Sequence, residues 1–516
     1  MRTVDRNERT VGSTGEAGVL GGGRSARAAT APGSQGVVET GAMFTRLRIE
    51  HFKAWRDTGD IRLAPLTVFF GPNSSGKTSL LQFLLMLKQT AQSQDYKQAL
   101  NFGGDGRGFA DLGSWPEMVF AHDAGRSLRF DLEWRIPHLP QVGVTEPGWA
   151  FWTFQAEVGS GGENPPPFVR MFRYKVELWR GRMGAFSLGM DYSPTSGEYE
   201  FWHRDEQERI VSAKTPVDSS ASLLPGRKLV PIHFYGFPPE TSAYYSATGF
   251  TAESTAQFVA QLDSIRYLGP LRQMPKRLYV GTGAVPPDVG ISGGQVIQAM
   301  MAARDRVLLP AGAQTPVRFE ELIARWLQRM GLLEEFSVRP IAPNRKEYEV
   351  LVRAPGRREF VSLVDVGFGV SQVLPVLVQL FYVAENSVFE NSVLIFEQPE
   401  IHLHPRVQSE LADLFIEAIS MREKGHPRNV QLLVESHSEH FLRRLQRRIA
   451  EGKLTPEQTA LYFCKPGPDG STIEELKVDE YGNISNWPEN FFGDEVGDLA
   501  AMTEAAMRRQ LGSEEG

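Results

Sequence analysis

Residues 71 to 78 read Gly-Pro-Asn-Ser-Ser-Gly-Lys-Thr, which is a complete G-x-x-x-x-G-K-T motif. The continuously apolar run Leu66–Phe70 precedes it, as is typical of a strand buried on both faces. After the motif, leucines recur at helical spacing from about Lys77 onward. Strand, glycine-rich loop and helix are the context that this motif requires, so the sequence predicts a phosphate-binding loop at the end of a buried strand.

The residue types of this loop indicate its chemistry. Glycines allow backbone N–H groups to surround phosphate oxygens, and the start of the helix adds a partial positive charge. Lys77 is expected to reach the β- and γ-phosphates, and the hydroxyl of Thr78 to bind Mg²⁺. We therefore predict ATP and Mg²⁺ as ligands; a glycine/serine turn with an incidental lysine is the alternative, which the flanking strand and helix disfavour. The predicted nucleotide-binding residues are Gly71, Asn73, Ser74, Ser75, Gly76, Lys77, Thr78 and Ser79.

A second apolar run, Val393–Phe396, ends in Glu397. A phosphate-binding loop of this kind needs an acidic residue at the end of another strand to hold the metal ion. We predict that Glu397 is this Walker B residue and binds Mg²⁺ together with Thr78. Taken alone, the segment would better fit an ordinary strand that ends in an exposed glutamate; the presence of the phosphate-binding loop favours Walker B.

Four segments follow one another in a characteristic order: the loop at Gly71–Thr78, then Val366–Gln372, Glu397–Pro405 and Glu435–His440. In this order the chain resembles the OLD/RecF/SMC-like group of ABC-type ATPases, and within it the stand-alone ATPases without a coiled-coil arm or nuclease domain. The resemblance covers about 44–100 and 346–445. It implies an α/β P-loop ATPase head with a β-rich (α+β) insert between Walker A and the signature and Walker B segments.

In that group two heads meet head-to-tail, and each ATP lies between the P-loop of one subunit and the signature of the other. By resemblance, Gly369, Ser371 and Gln372 form the signature that acts in trans, and the partner is a second copy of this chain. The apolar run Val373–Leu377 predicts a helix after this glycine-rich turn, with Pro375 in its first turn, where proline is tolerated.

A rival signature lies upstream, because Ser292–Gln295 spells Ser-Gly-Gly-Gln. In the family the signature precedes Walker B by one helix and a short connection, which fits Ser371 better than Ser292. We interpret Ser292–Gln295 as a loop before a helix and keep it open as the alternative signature.

The predicted catalytic residues are Glu400, Gln398 and His437. The family usually places a glutamate directly after the Walker B acid, but this chain has Gln398, which cannot accept a proton. Gln398 is expected to orient water, with Glu400 as the alternative base, and hydrolysis is expected to be slow.

By its place after a buried strand, His437 resembles the switch histidine that contacts the γ-phosphate; a structural histidine is the alternative. His402 and His404 belong to the family pattern, which disfavours a metal site there.

Composition divides the chain into five segments. Residues 1–42 contain little apolar surface and are predicted to be a disordered tail, with Met43 as an alternative translational start. Residues 43–102 form the first part of the head, and alternating apolar residues predict antiparallel strands in the insert, 103–345. Residues 346–450 form the second part of the head, and 451–516 extend it as an α/β region.

The overall composition narrows the functional classes. The formal net charge of −7 gives no global attraction to nucleic acid, and one helix carries Arg443, Arg444, Arg447 and Arg448, either as a DNA contact or as a solvated face. A single cysteine, Cys464, agrees with a reducing compartment, and no long apolar run is present. We predict a cytoplasmic protein without a membrane partner.

Three functions are compatible with these sequence features. The first is an ATP-driven switch that controls DNA or an effector protein in genome maintenance or phage defence, and it is the one we favour. The second is a nucleotide-gated scaffold with negligible hydrolysis, which Gln398 supports. The third is the motor of a transporter, which the large insert disfavours.

Overall fold

The computed structural model describes most of the chain from Met43 onward. The described residues are 43–104, 106, 108–136, 149–161, 166–179, 185–207, 209–211, 228–245, 248–281, 283–310, 312–342, 345–382, 391–423, 426–488, 491–493 and 495–514. The predicted tail, 1–42, lies outside them. Within this part of the chain no helix is long and apolar enough to cross a membrane.

Strands and helices are numbered in chain order. The strands are β1 Met43–Phe52, β2 Trp55–Asp57, β3 Ile61–Arg62, β4 Leu66–Phe70, β5 Leu128–Ile136, β6 Trp149–Gly159, β7 Phe168–Trp179, β8 Phe186–Ser193, β9 Glu198–Arg204, β10 Ile265–Leu268, β11 Tyr279–Val280, β12 Val307–Leu308, β13 Val317–Arg318, β14 Glu335–Pro340, β15 Glu347–Arg353, β16 Val361–Ser362, β17 Asn391–Glu397, β18 Arg422–Glu423, β19 His426–Pro427, β20 Asn429–Glu435, β21 Thr459–Lys465 and β22 Thr472–Glu475. The helices are α1 Lys77–Ala91, α2 Trp115–Met118, α3 Glu240–Tyr244, α4 Gly249–Asp263, α5 Val296–Ala303, α6 Phe319–Arg329, α7 Phe368–Phe381, α8 Pro405–Ser420, α9 Glu439–Ala450 and α10 Glu495–Glu514.

The apolar runs that predict buried strands lie in one mainly parallel sheet, in the order β10-β17-β20-β4-β21-β22. All pairs from β10 to β21 are parallel, and β22 is antiparallel to β21. Every residue of β4 and β17 is buried, because helices or a second sheet cover both faces. Parallel strands end at the same edge, so Gly71, Gln398 and Ser436, which follow β4, β17 and β20, leave the sheet side by side.

An antiparallel sheet in the order β2-β1-β5-β6-β7-β8-β9, with β3 beside β1, lies against one face of this core. Its inner face is aromatic: Trp134 stacks on Trp152, and Phe154 packs on Phe258 of α4. Strands β5–β9 belong to the predicted insert, but they pair directly with β1. Strand β10, also within 103–345, pairs with β17. The predicted insert therefore shares both sheets with the head segments, and the described residues form one compact unit.

The mixed α/β fold predicted from the sequence is present. One local prediction about α7 is wrong. The helix begins at Phe368, so Pro375 lies in its interior and not in its first turn. Proline has no N–H to donate to the carbonyl of Ser371, four residues earlier. Gly293 packs closely against the Pro375 ring, where a Cβ would come within 2.8 Å.

Candidate nucleotide-binding site

The loop between β4 and α1 depends on its two glycines. Gly71 has φ +138°, and a Cβ there would lie 2.2 Å from the carbonyl oxygen of Cys464. Gly76 has φ +90°, and a Cβ there would lie 2.9 Å from the ring of Trp55, whose Nε1 donates to the Gly76 carbonyl at 3.1 Å. Both positions therefore require glycine for conformational and for steric reasons.

Lys77 lies inside the loop that these glycines shape. Its Nζ donates to the carbonyl oxygens of Gly71 and Pro72, at 3.0 and 2.8 Å, and lies 3.9 Å from Glu435 Oε1. Burial lowers the pKa of the Lys77 amine, and the charge of Glu435 opposes this effect. Its Nζ also lies 3.4 Å from Ser75 Oγ, so the ammonium group is surrounded by neutral oxygens and one distant carboxylate, which the oxygens of a phosphate can replace.

A cavity of about 210 Å³ opens at this loop. It is lined by Ala54, Asn73, Ser74, Ser75, Gly76, Lys77, Thr78, Ser79, Gln398 and Glu435. All of the predicted nucleotide-binding residues except Gly71 are in this set. The cavity also brings together the ends of three strands, as the sheet order requires.

Glu435 is a functional candidate that the sequence analysis missed. Strand β20 lies between β4 and β17, so its last residue, Glu435, is next to the loop. Thr78 Oγ1 donates to Glu435 Oε2 at 2.8 Å. Burial raises the pKa of Glu435, while Thr78 and Lys77 oppose the rise. The available signal was the same as for Glu397: an apolar strand, Val430–Val434, that ends in a carboxylate.

Glu397 lies on β17, one strand further from the loop than Glu435. It is buried, and its pKa is raised to about 7, first by burial and then by the nearby charge of Glu435. Tyr267 makes a hydrogen bond with its carboxylate, whereas Glu397 Oε1 has no partner among the described residues. A buried carboxylate oxygen without a partner is the type of ligand that a divalent cation prefers.

Gln398 reaches the cavity by a turn in the chain. Its φ is +43°, in the left-handed region, and its backbone N–H donates to the carbonyl oxygen of Glu435 at 2.9 Å. The strand ends of β17 and β20 are thereby joined directly at the site. The amide side chain can donate and accept hydrogen bonds, but it cannot take a proton.

Glu400 and His437 are coupled. Glu400 Oε1 accepts hydrogen bonds from Ser436 Oγ at 2.9 Å and from the backbone N–H of His437 at 2.6 Å. Glu400 is buried, and burial raises its pKa. Burial, together with the charge of Lys77, lowers the pKa of His437 to about 4, so its imidazole is neutral at pH 7. His437 Nε2 is buried and has no partner within the described chain.

The signature residues lie apart from this cavity, at the start of α7. Gly369 is partly exposed and lines a separate cavity of about 500 Å³ with Gly367 and Val370. Ser371 and Gln372 are buried within their own subunit, and Ser371 Oγ donates to the Phe368 carbonyl at 2.6 Å. Of the three predicted signature residues, Gly369 is thus the accessible one.

The rival segment is a loop before a helix, as expected. Ser292–Gln295 precedes α5, and Gly293 packs against α7. His404 also has a structural role, because its Nδ1 accepts a hydrogen bond from the backbone N–H of Arg406 at the start of α8.

The arginine side chains of helix α9 form ion pairs with carboxylates of the same chain. Arg444 and Arg448 both bind Asp413, at 2.6 and 2.5 Å. Arg447 pairs with Glu451. Arg443, the fourth arginine, pairs with Glu439 and stacks over Trp487. Arg444 and Arg448 thus serve an ion pair with Asp413 inside the chain, whereas Arg443 and Arg447 remain exposed to solvent.

The donor set therefore fits MgATP: a glycine-shaped loop, a buried ammonium group, the Thr78 hydroxyl and an unpartnered carboxylate oxygen at Glu397.

Three parts of the sequence match known families. Residues 46–106 match a family described as AAA domain, 333–442 one described as AAA ATPase domain, and 454–502 one described as protein of unknown function (DUF3696). No curated protein matches the chain.

Two solved structures are similar to parts of the chain at low identity. The SMC head domain from Thermotoga maritima is 13% identical, with 84% of this chain and 99% of that chain covered and a TM-score of 0.34. The Smc head domain from Pyrococcus furiosus, with an extended coiled coil and bound to the C-terminal domain of ScpA, is 10% identical, with 85% and 97% covered and a TM-score of 0.35.

The two AAA matches contain the P-loop and the strand that ends in Glu397, respectively, and in the fold these segments meet at one sheet edge. Two segments of the chain thus match AAA ATPase families, and the fold brings them together at the phosphate-binding loop.

Proposed function

We propose that this chain is an ATP-driven switch, in which two copies close head-to-tail around MgATP and slow hydrolysis separates them. The state of the heads would control DNA or an effector protein, in genome maintenance or defence against phage. The observation that carries the proposal is the separation of two half-sites. The P-loop cavity contains none of the residues at the start of α7, while Gly369 is accessible in another cavity.

Each half-site has its own task in this proposal. The loop N–H groups and Lys77 bind the phosphates, and Thr78 and Glu397 hold Mg²⁺, which neutralises charge on the phosphates. Glu435, which accepts a hydrogen bond from the Thr78 hydroxyl, is a further ligand candidate. Gln398 orients the attacking water, and neutral His437 donates or accepts a hydrogen bond near the γ-phosphate.

The start of α7 would complete the site from the partner. The first turn of a helix has free backbone N–H groups and a partial positive charge, both suited to phosphate. Phe368, next to Gly369, is 43% exposed, so this turn is accessible to a partner. These properties support a contact in trans that is made by the backbone around Gly369. The buried Ser371 and Gln372 would stabilise that turn within their own subunit.

Gly369→Arg tests this arrangement. We expect the variant to bind ATP like the unmodified chain but to form no nucleotide-driven dimers, because the new side chain would enter the space of the partner's nucleotide. A Cβ at Gly369 would meet its nearest neighbours, Leu332 and Leu403, at 3.6 and 3.9 Å, so the fold can accommodate it. The measurement is size-exclusion chromatography with light scattering, with and without ATP and Mg²⁺.

Gly249→Arg is the matched control, since Gly249 is exposed at the start of α4 and a Cβ there meets nothing within 4 Å. It should dimerise normally. Normal ATP-dependent dimers of Gly369→Arg would refute the composite site.

A nucleotide-gated scaffold is the second candidate, and the observation that favours it is Gln398 at the cavity. Phosphate release distinguishes the two. A switch releases phosphate faster than a Lys77→Ala control, whereas a scaffold assembles with ATP and releases none.

A further inference from the structure

The loop that follows β10 is held rigidly beside the site. The backbone N–H of Gly269 donates to the Ile291 carbonyl at 2.8 Å, and that of Gln273 donates to the Ser292 carbonyl at 2.7 Å. Arg272 lies between these two anchors. Its backbone position is therefore fixed by the loop that precedes α5.

Strand pairing in the sheet determines which residues lie beside this loop. Leu268, the last residue of β10, pairs with Phe396 of β17. The chain after Leu268 consequently leaves the sheet beside Glu397, at the edge where β17, β20 and β4 also end. Arg272 is thus placed next to the Walker B segment by the sheet and not by sequence proximity.

The guanidinium group of Arg272 is buried but poorly satisfied. The residue is 9% exposed, and burial lowers its pKa to about 10, so the group is still charged at pH 7. Its Nη2 lies 3.5 Å from the carbonyl oxygen of Glu397, a long contact. Nε and Nη1 are buried without a hydrogen-bond partner among the described residues. Such donors are costly to leave unsatisfied, and at Arg272, unlike elsewhere, they lie at the sheet edge of the nucleotide site, where a ligand would supply the acceptors.

Two nearby glutamates have carboxylate oxygens that lack a hydrogen-bond partner among the described residues. Glu397 Oε1 and Glu400 Oε2 are both buried and have no partner in the described chain. Both carboxylates raise the pKa of Arg272, although burial outweighs them. A ligand that brings an anion for the guanidinium group and a cation for a carboxylate would satisfy both kinds of group together. MgATP has this combination of charges.

We propose that Arg272 is a further phosphate-binding residue of the same subunit, which donates hydrogen bonds to the γ-phosphate of bound ATP. This inference rests on the proposed function. It also bears on Gln398: when the usual base is absent, stabilisation of negative charge on the transferred phosphoryl group carries more of the catalysis. A guanidinium group suits this role, because its planar donors match phosphate oxygens.

Arg272→Met tests the proposal, since methionine fills a similar buried volume without charge. The dissociation constants of ATP and ADP, both with Mg²⁺, are measured by calorimetry on the full chain. We expect ATP binding to weaken about tenfold or more, the usual effect of losing a hydrogen bond to a charged group. ADP binding should not change, because ADP has no γ-phosphate. A purely structural arginine would affect both nucleotides alike.

Arg428→Met is the matched control. Arg428 is equally buried at 7% exposure, its pKa is likewise lowered to about 10, and its Nη2 also lacks a partner in the described chain. It precedes β20, at the end of that strand opposite to Glu435. Its loss should reduce thermal stability but leave the ratio of ATP to ADP affinity unchanged.

The other outcomes are distinguishable. If Arg272→Met does not fold, Arg272→Lys, which keeps the charge but not the planar fork, is measured in the same way, and the same selective loss for ATP is expected. Equal losses for ATP and ADP, or no loss, would overturn the role of Arg272 while leaving the proposed function intact. Failure of the unmodified chain to bind either nucleotide would overturn both.

Discussion

Lys77→Ala is expected to weaken ATP binding about 100-fold or more, because at least two charge-assisted hydrogen bonds to phosphate oxygens are lost, each worth about 1.5–3 kcal/mol. Around the buried ammonium group lie the carbonyl oxygens of the loop, Ser75 Oγ at 3.4 Å and a carboxylate at 3.9 Å. The alanine side chain cannot reach a phosphate. Calorimetric titration of ATP with Mg²⁺ measures the effect directly.

Lys88→Ala provides the control for this experiment. Lys88 is on the same helix, is equally buried at 3% exposure, and donates to the carbonyl oxygen of Ile265. Burial lowers its pKa to about 8. Its loss should lower thermal stability without changing the affinity of the folded protein for ATP. ATP binding by Lys77→Ala at the affinity of the unmodified chain would refute the nucleotide site.

The phosphate-binding loop could be predicted from the sequence because its determinants are local. Strand β4, the glycines and the start of α1 are consecutive, and the steric requirement at Gly71 and Gly76 follows from the turn that they make. The fold class could be predicted for a similar reason, because buried runs that alternate with helices indicate parallel strands.

The contacts between strands could not be predicted in the same way. Chain order does not reveal that β20 lies between β4 and β17, so the contact of Glu435 with Thr78 was missed. The same limitation hid Arg272, which reaches Glu397 only because β10 pairs with β17. The boundary predicted at 102/103 followed composition, whereas the strands on its two sides pair in one sheet.

Pairing also explains the arginines of α9. Their spacing along the helix predicted one basic face, but the partner of Arg444 and Arg448 is Asp413, on α8. A buried carboxylate with several arginines is an interior ion-pair network, which a single sequence cannot reveal. For this reason our proposal assigns no DNA-binding role to this helix.

Gln398→Glu is the change with the largest expected gain. It replaces an amide by a carboxylate of nearly the same shape at a residue that lines the phosphate cavity. General-base catalysis typically contributes about 10²–10⁴-fold to a rate, and we expect phosphate release to rise by at least about tenfold. The backbone should not change, because glutamate and glutamine can hold the same φ of +43°, fixed by the hydrogen bond to the Glu435 carbonyl.

The surroundings support this gain. Burial raises the pKa of Glu397 and of Glu435, and the charge of Glu435 adds to the rise at Glu397. A new glutamate beside these two carboxylates should have its pKa raised for the same reasons. A base whose pKa is raised toward 7 accepts a proton more readily in the reaction than one at the ordinary value.

Gln398→Met, which has similar length but no polar end, is the control and should abolish the residual turnover if glutamine orients water. If Gln398→Glu leaves the rate unchanged, water activation does not occur at this position. Glu400→Gln would then be the informative variant, and a fall in its rate would identify Glu400 as the base.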